Sequence, residues 1–326
     1  MRESILLVVI MDGSKKKENG SSEQDRRNIA IARPSGNADH HATVIAEAVD
    51  DTWHRVHGHG ELEVPVSVVA VLAILAPHHQ HRDEAAQEVV ALEPDQFAAL
   101  MRTQWAIYLN ARPDLLNRAW PLMKPWHGDH PVRACELDAA KMVADTAVKQ
   151  GQFHLTGDAE LRREVDLLGK VVTLLRGRKA AESHGKFYTP ASVTDTMARM
   201  LGGPQEGQSV HEPAAGTGGM LRAAAQAMRA HGRDPATVTW IAADVDELAI
   251  ACLAVNVVLW DLGPRVLLGV GNVLTDEWKS RAQAERRETI ELARQVRRDK
   301  NLVQALQDAE ALIQQPSDGP DQQGPP

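Results

Sequence analysis

Cysteine is nearly missing: Cys135 and Cys252 are the only two in 326 residues, far apart and in helix-like surroundings. That excludes a disulfide framework and a cysteine-based zinc site, and a reducing, cytoplasmic compartment is the expectation. Aromatic residues are scarce at 4%, so two adjacent aromatics anywhere call for a reason. A surplus of positive charge is absent as well. Lys and Arg number 36 against 44 Asp and Glu, a formal net charge of −8, so the surface is not coated for phosphate. Any nucleic-acid contact would then have to be local or come through a partner. No apolar run reaches the roughly 20 residues that span a bilayer. Ile5 to Met11 is short and lacks a small-residue cleavage site, and Val64 to Ala76 reads as a buried helix opened by Pro65. No membrane partner is expected.

Hydrophobic content of 43% and charge of 25% suit a soluble protein long enough for two domains. Residues 1–30, with Lys15-Lys16-Lys17 and a Gly/Ser cluster, read as disordered. Residues 37–150 carry helical patterning throughout, including His40 to Val56, Pro65 to Leu75, Pro94 to Asn110, Pro113 to Trp120 and Ala134 to Val148. Trp53, Trp105, Trp120 and Trp126 are expected to pack between those helices. Residues 158–276 form a second domain, 277–315 a C-terminal amphipathic helix, and 316–326 a disordered Pro/Gly/Gln tail.

Two histidine groups, His54/His57/His59 and His78/His79/His81, invite a metal reading. Their spacing does not put three rings on one helical face and no carboxylates stand at ligand spacing, so solvated loop histidines are the expectation. Asp158 opens a periodic helix through Leu161, Val165, Leu168, Val172 and Leu175. It ends in Arg176-Gly177-Arg178-Lys179, a cationic helix end or a phosphate contact. At Thr189-Pro190 a helix starts with a cap and a first-position proline, and Gly202-Gly203 stops it. Capping does not explain the adjacent Phe187-Tyr188.

The chemistry concentrates in His211-Glu212-Pro213-Ala214-Ala215-Gly216-Thr217-Gly218-Gly219-Met220-Leu221. An apolar approach, an acidic residue, a glycine turn and then strong helix formers read as strand, turn and helix. The glycines let backbone amides at the helix start approach a polar ligand. From Thr239 a second strand ends in Asp244-Val245-Asp246, at about the spacing at which a βαβ nucleotide site places its ribose carboxylate. A third, from Arg265, ends in Asn272. Three strand ends therefore converge on one edge. No Gly-Lys-Ser/Thr follows the glycines, which argues against a nucleoside triphosphate.

Two segments resemble the N-6 DNA methylase family, the adenine-specific methyltransferases of type I restriction-modification. Gly185-Lys186-Phe187-Tyr188-Thr189-Pro190 is similar to its Gly-x-Phe-Phe/Tyr-Thr-Pro motif. Glu212 to Leu221 is similar to Asp-Pro-Ala-Cys-Gly-Thr-Gly-Gly-Phe-Leu, and the order of the two is that of the family. The resemblance implies an α/β fold: a helical N-terminal domain, a partial Rossmann-like S-adenosylmethionine-dependent methyltransferase domain of about three parallel strands, and a long C-terminal helix. It implies S-adenosylmethionine as cofactor, held by Phe187, Thr189, Pro190, Glu212, Pro213, Gly216, Thr217, Gly218, Asp244 and Asn272. Glu212 would lie near the ammonium, Asp244 at the ribose hydroxyls, with Asp246 as the fallback, and Asn272 at the adenine amine. DNA is the implied substrate, in a restriction-modification-like system.

The family's catalytic Asn/Asp-Pro-Pro-aromatic element, which orients a flipped-out adenine, occurs nowhere in the chain, so no catalytic residue is assigned. With three strands only, the strand before Glu212 becomes a sheet edge that needs cover from the N-terminal helices, the C-terminal helix or another chain. A non-catalytic cofactor-binding or assembly subunit, or a decayed fragment, is the alternative. The expected partners are DNA and a protein subunit that supplies missing strands or specificity.

Overall fold

The computed structural model describes residues 29–33, 37–129, 132–177, 191–274 and 277–314. The segments expected to be disordered, 1–30 and 316–326, lie almost wholly outside these residues. Among the described residues nine α-helices come first: α1 (Ala38–Val56), α2 (Glu63–Leu75), α3 (Arg82–Ala91), α4 (Pro94–Ala111), α5 (Leu116–His127), α6 (Ala134–Lys149), α7 (Gln152–Thr156), α8 (Ala159–Glu164) and α9 (Leu167–Leu175). Then α10 (Ala191–Leu201) leads into β1 (Ser209–Glu212), α11 (Gly219–Ala230), β2 (Thr239–Asp244), α12 (Glu247–Leu259), β3 (Val266–Val270) and the long α13 (Glu277–Gln314). Among the described residues the mostly helical chain carries one small sheet of three parallel strands, a partial Rossmann-like α/β arrangement.

The sheet runs β1-β2-β3, all parallel, with Glu212 opposite Ala242 and Asp244 opposite Val270. Its faces follow from strand alternation. Trp240, Ala242, Val266 and Leu268 join the main core, whereas Ile241 and Leu267 turn the other way onto Trp278 and Ala282 of α13. Among the described residues β1 pairs only with β2, and its residues alternate between exposed and half-buried. The C-terminal helix covers the sheet at β3, not at this edge.

α2 and α12 are apolar on nearly every face, which by itself demands burial all round. They lie at the centre of one continuous core that extends from Ile45 and Trp53 of α1 to Leu268 of β3. Several polar groups inside it are paired. The Ser67 hydroxyl accepts from the indoles of Trp105 and Trp126 at 3.1 and 2.8 Å, and Tyr108 donates to the Ala254 carbonyl at 2.8 Å. Burial pushes the Tyr108 phenol far above its ordinary value.

Two helix expectations are corrected. The periodic run from Asp158 to Leu175 is not one helix: Val165 is extended, and the Asp166 side chain caps α9 by accepting from Gly169 N at 2.9 Å. Apolar periodicity continues across the break because both pieces face the same core, so the pattern conceals the cap. Conversely, α5 does not stop at Trp120 but runs through Pro121 and Pro125 to His127. The buried Leu122, Met123 and Trp126 offset the two missing backbone donors.

Candidate functional site

The carboxyl ends of β1 and β2 are tied through the glycine turn. Leaving β1, the chain crosses to its neighbour, where Ala215 N donates to Ala243 O at 3.0 Å. Gly218 N then closes the turn on Ala215 O at 2.8 Å, and α11 starts at Gly219. Asp244, at the tip of β2, is the hub. One carboxylate oxygen accepts from Gly216 N at 2.8 Å, the other from Asp246 N at 2.9 Å, and its carbonyl accepts from Gly271 N at 3.0 Å, next to Asn272.

The structure thus joins Gly216 and Asp244 directly and brings Asn272 beside them through its neighbour's backbone. Asn272 is exposed, with its side-chain oxygen accepting from Leu274 N at 3.0 Å. Glu212 is half-buried and folds onto its own turn, accepting from Ala214 N at 3.1 Å, while Pro213 is exposed. Phe187, Thr189 and Pro190 lie outside the described residues. Asp246, the fallback ribose acceptor, is engaged elsewhere: it caps α12 and receives a bidentate ion pair from Arg176 at 2.6 and 2.9 Å. This pairing also engages Arg176, the first residue of the basic cluster.

Thr217 and Gly218 face inward. Thr217 is 2% exposed, and its hydroxyl donates at 2.5 Å to Asp166, which also accepts from the Asn256 amide at 3.0 Å. Asn256 donates in turn to Thr217 O at 2.9 Å, so three side chains and a cap lock the turn from beneath. Burial pushes the Asp166 carboxyl above its usual range, against the pull of these hydrogen bonds. Burial, with the Asp166 charge beside it, likewise raises the Cys252 thiol, leaving it unreactive. Gly218 sits at φ 99°, and a Cβ there would overlap Leu253 and Trp260. Gly219 differs: a Cβ there would meet nothing within 4 Å.

Sequence reading missed Asp166, Asn256 and Arg222. Arg222, 3% exposed, donates to Glu164 O at 2.8 Å and to Asp195 of α10 at 2.6 Å, fixing that helix beside the turn. The Asp166 to Gly169 spacing is a capping signal that could have been read. The other two lie on helix faces with no local signature. His54 contacts Asp50 and the ring of His59, and His57 stacks on Trp53.

Chemically, the sheet end offers half-buried carboxylates and a helix N-terminus opening at an unobstructed glycine. Carboxylates accept from hydroxyls and favour a cation; the amides approach a polar group.

Residues 163–290 match the family model described as N-6 DNA Methylase. Among solved structures, one that resembles the chain is the type I restriction-modification system methyltransferase subunit from Streptococcus thermophilus, at 14% identity and a TM-score of 0.36. The similarity covers 72% of this chain and 60% of that one. No curated protein matches.

Proposed function

We propose, on the match of residues 163–290 to the N-6 DNA Methylase model, that the chain binds S-adenosylmethionine at the carboxyl end of its sheet and serves methyl transfer to adenine in DNA. The observation that carries this is the Asp244 carboxylate bound to Gly216 N, one strand tip holding the other's glycine turn.

The residues suit that group. Each Asp244 oxygen keeps a further lone pair for a ribose hydroxyl beyond its backbone bond. Gly219 leaves the helix start clear, and Glu212 adds negative charge where an ammonium and a sulfonium would lie. Asn272 offers a carbonyl acceptor, without charge, to an adenine amine. Phe187, Thr189 and Pro190 would close the methionine end. Bound, the cofactor supplies an electrophilic methyl group. Asp166, Asn256 and Thr217 act as positioning residues by holding the turn's shape.

A second reading has its own observation. The sequence contains no Asn/Asp-Pro-Pro-aromatic element to orient a target amine, and β1 has an unpaired outer edge among the described residues. Both favour a chain that binds the cofactor while a second protein subunit completes the sheet, the base pocket or DNA specificity; a decayed fragment is the remaining case. Transfer of tritiated methyl groups to DNA separates these. Activity of the chain alone supports a complete enzyme. Activity only with an added methylase or specificity subunit supports the assembly reading, and no cofactor binding at all would leave the fragment.

A further inference from the structure

A cavity of about 140 Å³ lies at the other end of α12 from Asp246, where the last turns of α2 and α12 meet the side of α4. Its walls are mainly aliphatic, with Ile74, Ile107 and Val258 among them. An apolar space of roughly 150 Å³ holds a benzene-sized molecule.

The polar groups around it narrow the chemistry. Arg112 is committed to Asp114 at 2.9 and 3.0 Å and to Gly263 O at 3.2 Å, and Arg162 donates to Leu259 O at 3.1 Å. The Tyr108 hydroxyl donates to Ala254 O. Gln104 is the exception. It is 4% exposed, lines the cavity, and its amide makes no hydrogen bond with any described residue. This amide can both donate and accept. Beside it α2 ends at Ala76 in left-handed backbone, φ 38°, and its residues Ala73 to Ala76 line the same space. Among the described lining residues an anion finds no free cation, and a purely apolar guest gives the amide no partner.

We infer that this cavity is a second ligand site, separate from the strand tips, for a small neutral apolar molecule bearing one hydroxyl, of phenol size, with its hydroxyl on the Gln104 amide. The guest bridges α2 and α4 to α12.

Phenol and benzene are titrated into the full chain carrying ¹³C-labelled isoleucine methyls. Saturable shifts are expected at Ile74 and Ile107, with Ile45 and Ile250 unmoved, and phenol binding about tenfold tighter than benzene, the ratio one buried hydrogen bond gives. Gln104→Leu should erase the phenol preference while keeping benzene; should that variant misfold, Gln104→Met makes the same comparison. Ile107→Trp should abolish both by filling the space. Absence of saturation with either probe would mean a cavity filled by water and overturn the site. So would shifts spread over all isoleucines, or a phenol preference that survives Gln104→Leu.

Discussion

Gly218 and Gly219 are neighbours with opposite constraints. Gly218→Ala puts a Cβ into Leu253 at a backbone angle that L-residues avoid, and should cost about 2–4 kcal/mol in urea unfolding. Gly219→Ala adds a helix former facing open space, so stability should hold or rise slightly while S-adenosylmethionine affinity falls. An equal loss of binding in both, scaled to stability, would contradict a ligand-facing Gly219. The sequence displayed the turn, but could not tell which glycine serves packing and which serves the crevice, because that depends on α12, packed against it from later in the chain. Asp166 gives a pH test. Its folded pKa lies above the unfolded value, so the stability it contributes is full below the unfolded carboxyl pKa and is lost as pH rises through the raised one. Asp166→Asn keeps the geometry if the Thr217 hydroxyl rotates to accept, and should flatten that slope. Asp166→Ala strands the Thr217 hydroxyl and should cost about 2–4 kcal/mol. Urea midpoints between pH 4 and 8 check both.

Between elements, side chains from distant parts of the chain hold the site's surroundings. Arg222 on α11 fastens α10 to α8, and α10 is the helix that follows Phe187 to Pro190 in sequence. Arg222→Ala leaves Asp195, itself 37% exposed, to water, so the loss should be about 1–3 kcal/mol rather than that of a fully buried pair. Amide exchange should accelerate in residues 191–201 first, with α2 and α12 unchanged. Strand positions and the helices flanking them were readable from apolar runs and capping residues. Helix limits failed where a tertiary contact outvoted a local signal: the Asp166 cap inside a periodic run, and two prolines tolerated in α5 because Trp126 reaches Ser67. The Arg176 to Asp246 pairing joins groups 70 residues apart and has no sequence signature.

For the whole molecule, the continuous core is the main fact. Helical patterning in the first half and βαβ patterning in the second are visible in sequence, but their shared interior is not, since α12 looks like any apolar helix until its partners α2 and α5 are known. Indole fluorescence and far-ultraviolet dichroism should therefore report one coincident unfolding transition, and residues 37–150 expressed alone should not fold stably. Two separate transitions would contradict a common core. The same core fixes α12, and α12 carries Asn256 beneath the glycine turn, so the proposed cofactor site depends on the whole molecule. The most direct test is calorimetric titration of S-adenosylmethionine into the wild type and Asp244→Ala, with folding of the variant verified by its dichroism. Saturable binding by the wild type and affinity reduced about 10–100-fold in the variant, the loss expected for charge-assisted hydrogen bonds, is the predicted result. Wild-type binding that Asp244→Ala leaves unchanged, or no binding at all, would contradict the placement of the methyl donor at these strand tips.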